Sequence, residues 1–320
     1  MLPPMEKTIF IVFNSAYSNI NVVGMGLDLL VFGDTAIDNF YVVDRLPELN
    51  EAADVIKGRR YYGGMGANTA VVANNLGLKV GLVSVIGTDA DDYRNYMTGQ
   101  GIKLYLKGIF GDTTKSMFFK TNGDQVSFFY KGVTEQLDDL DPDEEFGRRL
   151  TKDVKAVYMA RTYLNMQKHV VKTFKDSLKV YNPGYGTFKF DRIPKTFRTV
   201  MNASDVVVLN HHELNHLRKI GYKMKLKPRQ VFIVTRGREG ASVYVKNTKV
   251  DVKAHKTDVV DASGAGDAFN AGFITGKLRG LDLYESVKVG NAAASFIVEG
   301  WGCQTNLPSW EQAVERYKRI

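Results

Sequence analysis

Short apolar runs, broken at most by a single polar residue such as Asp28 or Ser84, recur along this chain, and most stop at a glycine or a polar residue. Leu27 to Phe32 runs into Gly33-Asp34, and Val80 to Ile86 into Gly87-Thr88-Asp89; Ala156 to Met159, Val206 to Leu209 and Val231 to Thr235 follow the same plan. A strand with one wet face alternates apolar and polar residues, whereas a continuous run is buried on both faces, as in a parallel sheet covered by helices. Helical patterns lie between the runs, at Thr69 to Leu76 with Gly77 as its C-cap, Asn165 to Ser177, Ala268 to Leu278 and Val287 to Val298. The alternation predicts an α/β fold with a doubly wound, mostly parallel sheet flanked by helices. With 320 residues and 44% hydrophobic side chains, the chain has material for one such domain with a sizeable core.

One stretch breaks the alternation. Between Ile102 and Lys131 the segments Leu104 to Phe110, Ser116 to Thr121 and Val126 to Lys131 are β-like, and Asn122-Gly123-Asp124 supplies a hairpin turn. This predicts a separate small sheet. The stretch is rich in aromatics, among them Tyr105, Phe110, Phe118, Phe119, Phe128, Phe129 and Tyr130, which either pack the small sheet against the body or offer a flat stacking surface.

The chemistry concentrates at Asp261-Ala262-Ser263-Gly264-Ala265-Gly266-Asp267, directly ahead of the Ala268 helix. Helix-start amides have no intrahelical partner and sit at the positive end of the dipole, so Gly264, Ala265 and Gly266 form an anion site that small residues leave accessible. Asp267 is then a first-turn aspartate placed for the dipole, or a base beside a phosphate. A second glycine-rich loop, Gly63-Gly64-Met65-Gly66-Ala67-Asn68, also precedes a helix, but no Lys-Ser/Thr follows it, which excludes a nucleotide P-loop.

Together these loops resemble the signatures of the ribokinase/phosphofructokinase-B (PfkB) family of carbohydrate and nucleoside kinases, in particular the archaeal broad-specificity nucleoside kinases. The family patterns look like Gly-Gly-x-Gly-Ala-Asn and Asp-Thr-x-Gly-Ala-Gly-Asp; this chain carries Ala262 where the second usually has Thr. The resemblance implies a ribokinase-like fold with a β lid drawn from about residues 39–62 and 102–131. It implies Asp267 as catalytic base, Gly264 to Gly266 as anion hole, and Asp38, Gly63, Gly64 and Asn68 as acceptor contacts. Asp38 can alternatively cap a turn. Asn210, Thr235, Gly237, Gly240 and Asn291 match positions lining ATP, Glu213 one that organises Mg²⁺ through water, and Asp261 lies where some members hold a monovalent cation such as K⁺. A homodimer through the lid is implied as well.

His212-Glu213-x-x-His216 also fits a zinc-hydrolase pattern, with two imidazoles four residues apart on one helix face. No downstream third ligand supports it. The net charge of +8 is scattered, which suits anionic small ligands about as much as nucleic acid, but a nucleic-acid binder should show a basic stripe with stacking aromatics on one face; the single Cys303 fits a reducing cytoplasm. The apolar run Ile9 to Phe13 is too short to span a membrane. Residues 1–24 are predicted to be an extension outside the kinase domain of 25–320. For the acceptor, stacking aromatics such as Tyr105 and Phe118 point to nucleosides, phosphorylated at the 5′-hydroxyl. Arg161, at a strand end, points instead to a sugar acid such as 2-keto-3-deoxygluconate or a sugar phosphate, unless it is a surface ion pair.

Overall fold

The computed structural model describes residues 26–121, 124–147, 150 and 153–319. The proposed N-terminal extension, and Asn122 and Gly123 of the hairpin turn, lie outside the described residues. A nine-stranded sheet contains β1 (Leu29–Phe32), β4 (Val80–Gly87), β5 (Lys103–Ile109), β8 (Ala156–Ala160), β9 (Leu178–Asn182), β10 (Val206–Asn210), β11 (Val231–Thr235), β12 (Ala241–Val245) and β13 (Thr248–Val252). Its order is β13-β12-β11-β10-β9-β8-β1-β4-β5, parallel from β5 through β11, with β12 and β13 added antiparallel at one edge.

The apolar runs feed two layers at once. In β1, Leu29 and Val31 pack into one core while Leu30 and Phe32 pack into the other, all fully buried. One layer holds α1 (Met65–Asn75), α7 (Ala265–Leu278) and α8 (Leu283–Val298). The opposite layer holds α4 (Leu164–Thr173), α5 (Lys195–Ala203) and α6 (His211–Lys219). Each wall of helices keeps water from one face, which is why the strands need no polar alternation.

The second sheet is four-stranded, in the order β3-β2-β6-β7, from β2 (Ala36–Val43), β3 (Val55–Gly63), β6 (Thr114–Lys120) and β7 (Gln125–Tyr130). Leu104 to Phe110 does not belong to it. That segment forms β5, pairing in parallel with β4 at the edge of the large sheet; Tyr105 packs edge-on against Phe146, and Phe110 is 95% exposed beyond the strand end. Period-two patterning marks a half-buried strand without saying which sheet it joins. No helix among the described residues is long and apolar enough to cross a membrane.

The chain reverses direction across β1, running to β4 and β5 on one side and returning through β8 on the other. Such a switch point opens a crevice at the carboxyl ends of the strands. The segments leaving β1 and β8 there carry Asp34 and Arg161.

Candidate active site

On one side of the crevice the side chains are charged and buried. Asp267, in the first turn of α7, is 6% exposed, and its Oδ2 accepts a hydrogen bond from Asn68 Nδ2 at 2.8 Å. Burial pushes its carboxyl up to about 8; Asp34 and Asp38 push the same way, against the Asn68 hydrogen bond and Arg161. Asn68 arrives from α1, across 199 residues of sequence. Read from the sequence as an acceptor contact, its amide is engaged inside the protein at both ends, its Oδ1 accepting from Gln304 at 2.8 Å.

Asp38 sits on β2, 5% exposed, its carboxyl lifted to about 6 by burial, against a Ser116 hydrogen bond and the Arg161 charge. Gly63 makes room for it, since a Cβ there would lie 2.0 Å from Asp38 Oδ2. Gly64 takes φ +97° and passes Asp34 O so closely that a Cβ would stand 2.6 Å away. Both loop glycines are thus required by the close approach of Asp38 and the Asp34 backbone.

Arg161 is not a surface residue in a surface pair. It adopts φ +61°, and its Nε lies 2.6 Å from Oδ2 of Asp34, which is 1% exposed. Among the described residues the two side chains form a close ion pair, and neither Asp34 oxygen accepts an aligned hydrogen bond. Burial opposes the guanidinium's charge, yet Asp34 more than compensates and holds the proton more tightly than usual. Asp34 is not among the residues that the sequence resemblance singles out; its one signal is a charge placed after a fully buried run.

The small sheet turns an aromatic face to the crevice. Asp38 and Phe40 alternate on one side of β2, opposite Ser116 and Phe118 of β6. Phe40 stacks on Phe118 at 4.6 Å and meets Tyr61 and Trp301 edge-on at 5.7 and 5.8 Å; Phe129 continues the row to Tyr185. Phe118 thus lies where the sequence put it, whereas Tyr105 does not, and Phe40 and Trp301 are additions. Lys120, next on the same face, places Nζ 3.1 Å from Asp261 Oδ1 and 4.6 Å from the Trp301 ring centre. Asp261 also accepts from the Ser263 N–H and hydroxyl and, through Oδ2, from the Gly302 N–H. With its charge met by Lys120, Asp261 does not fit an added monovalent cation.

The other side of the crevice is mostly backbone. Gly264, at φ +74°, is the N-cap of α7, no side chain caps the helix, and a Cβ on Gly264 would come 2.6 Å from Cys303 Cβ. Asn210 and Thr235 pair across the ends of β10 and β11. Gly237 (φ +56°) and Gly240 (φ +91°) shape the turn into β12, and Asn291 of α8 donates to Lys253 O at 2.9 Å.

Asn210 and Glu213 form a reciprocal capping box on α6. Both Glu213 oxygens accept from Asn210, and burial lifts its carboxyl to about 7 against the Asn210 N–H bond. That set fits contact with Mg²⁺ through water. It does not fit zinc hydrolysis: His212 is exposed, His216 Nε2 lies against Phe190 O at 3.2 Å, and among the described residues the one His/Asp/Glu grouping within reach of a single ion is Asp141, Asp143 and His169 elsewhere.

Residues 27–310 match the family described as pfkB family carbohydrate kinase. The nucleoside kinase of Methanothermobacter thermautotrophicus is 30% identical over 301 residues, covering 91% of this chain and 95% of its own length. The nucleoside kinase of Methanocaldococcus jannaschii is 29% identical over 296 residues, covering 90% and 95%. The crystal structure of that M. jannaschii enzyme, an archaeal member of the ribokinase family, superposes with a TM-score of 0.82 over 93% of this chain and 100% of its own. A Burkholderia thailandensis nucleoside kinase in complex with inosine, 21% identical, shares the fold at a TM-score of 0.79 over 91% of this chain and 98% of its own.

Proposed function

Because this chain belongs to the pfkB family of carbohydrate kinases and is an ATP-dependent kinase, we propose that it phosphorylates the 5′-hydroxyl of nucleosides with broad tolerance of the base. The observation that carries the acceptor class is the aromatic face of Phe40, Phe118 and Phe129 beside Asp38. A carboxylate can accept from two vicinal hydroxyls, and a ring face stacks on any base for about 1–3 kcal/mol. The nucleoside kinases named above support the same reading. Arg161 does not favour an anionic sugar, because Asp34 already matches its charge.

In this mechanism Asp38 holds the ribose diol, and the 5′-oxygen lies between Asp267 and the α7 N-terminus. Asp267 takes the hydroxyl proton as the O5′–Pγ bond forms and the bond from Pγ to the β,γ-bridging oxygen breaks, releasing ADP. Asp267 titrating near 8 suits a base that must gain a proton in one step and lose it in the next. The Gly264, Ala265 and Gly266 amides meet the charge developing on the transferred group. Asn210, Thr235, Gly237 and Gly240 line the ATP phosphates, and Asn291 borders the adenine. Glu213 would hold a water in the shell of a Mg²⁺ bound with ATP, and that ion would supply neutralising charge to the phosphates. We assign the work to the cytoplasm, as a homodimer joined through the outer face of the small sheet, where Val126, Phe128 and Tyr130 are 38%, 55% and 49% exposed.

The test is an ATP-consumption screen over inosine, adenosine, cytidine, ribose, fructose 6-phosphate and 2-keto-3-deoxygluconate. Turnover is expected with the nucleosides; turnover with sugars or sugar acids alone overturns the acceptor while leaving the kinase.

A further inference from the structure

We infer that Gln304, in the loop between α8 and α9 (Trp310–Tyr317), is a positioning residue that fixes the direction of the hydrogen bond donated to the catalytic carboxylate. The inference rests on Asp267 being the base. Its observation is a buried chain of side chains whose donor and acceptor order has one consistent solution.

The chain starts at a backbone carbonyl, which can only accept. Tyr93, on α2 (Asp91–Gly99) and fully buried, donates its hydroxyl proton to Gly63 O at 2.8 Å. Stacking of Tyr62 on Tyr93 at 4.3 Å with rings 2° from parallel holds the phenol in place, and burial keeps it protonated well above the ordinary range. With its proton spent, the Tyr93 oxygen must accept its next bond. Gln304 Nε2 supplies it at 2.8 Å, and its remaining N–H goes to Asn68 Oδ1, also at 2.8 Å. Asn68 then has its oxygen turned to Gln304 and its amino group turned to Asp267 Oδ2. Each amide along the line is prevented from flipping by the one before it.

Gln304 makes a poor purely structural choice. Its Oε1 is buried with no partner among the described residues, an arrangement that an isosteric methionine avoids. The side chain is best explained by its two N–H groups, both of which are used. Without them Asn68 is free to turn its carbonyl toward Asp267. That orientation repels an ionised carboxylate and suits a protonated one, so the base loses the interaction that favours its charged form. The other groups facing Asp267 come from separate elements: Asp34 after β1, Asp38 on β2, Tyr158 and Arg161 on and after β8, and Cys303 in the same loop as Gln304. Gln304→Met changes the charge of none of them.

The test is the pH profile of kcat/KM for Gln304→Met, Gln304→Glu and Tyr93→Phe. For Gln304→Met the acid limb should move up by about one unit, so that activity at pH 6.5 falls about tenfold while activity at pH 9 falls less than about threefold. Gln304→Glu, which adds a charge that can claim the Asn68 amino group, should move the limb further; Tyr93→Phe, which only loosens the anchor, should move it less. If Gln304→Met is too unstable to assay, the order of the other two decides the matter. A uniform loss at every pH, or an unmoved limb in the assayable variants, overturns the positioning role. Asp267→Asn assayed alongside separates the two failures: near-normal turnover there removes the base itself, whereas a dead Asp267→Asn with unmoved Gln304 limbs removes only this inference.

Discussion

The two sides of the crevice are made of different material. The proposed phosphate side consists of turns and helix starts, with Gly237, Gly240 and Gly264 at positive φ. The proposed acceptor side consists of side chains brought from separate elements: Asp34, Asp38, Asn68 and Asp267, all buried, with Arg161 half-buried beside them, so that carboxylates outnumber cations. A nucleotide brings its own charge and needs only amides to meet it. A neutral polyol brings none, so the protein must supply the polarity and bear the cost of burying it. Substitutions on the acceptor side should therefore act through chemistry and acceptor binding, and those on the phosphate side through backbone shape.

The largest effect should come from Asp267→Asn, with kcat down by about a thousandfold or more and the KM for ATP within about threefold. A parallel loss of ATP affinity in isothermal titration would break the division between the two sides. The same variant carries a stability signature. Burial raises the Asp267 carboxyl to about 8 from an unfolded value near 4, so its contribution is fully present below about pH 4 and is lost as pH rises through 8. Asp267→Asn should thus melt higher than wild type at pH 9 and gain nothing at pH 4. Thermal scans at the two pH values check this.

Next comes Gly264→Ala, which forces a Cβ into positive φ and against Cys303; kcat should fall about tenfold to a hundredfold, with about 1–3 kcal/mol lost from stability. Unchanged kinetics would mean that the α7 amides do not hold the transferred group. A smaller effect is expected for Asp38→Asn, with the acceptor KM raised about tenfold and the ATP KM unmoved, by steady-state assay against each substrate. The smallest concerns monovalent ions: exchanging K⁺ for Na⁺ should change kcat less than about twofold, because Lys120 already faces Asp261. A strong K⁺ requirement would show that this lysine gives way.

The contrast also explains what the sequence could reveal. Positive φ and close backbone approach leave their mark as glycine, so the turns at Gly237, Gly240 and Gly264 were readable as motifs. Continuous apolar runs likewise revealed the parallel sheet, because burial on both faces excludes polar alternation. Asp34 meeting Arg161 across 127 residues has no local signature; it exists only because β1 and β8 are neighbours. Tyr105 was placed in the wrong sheet for the same reason, since patterning describes a strand's faces and not its neighbour. Glu213 lay between two patterns, and the capping box with Asn210, not either histidine, decided its place.

Lys120 has a bearing on how the small sheet meets the body. It is carried by the small sheet and Asp261 by the body, and the carboxylate side chain is only 2% exposed. Any lifting of the small sheet must part that pair and draw the ammonium away from the ring of Trp301. The ion pair and the Trp301 ring contact therefore act together as a clasp that favours the small sheet lying against the body at Asp261.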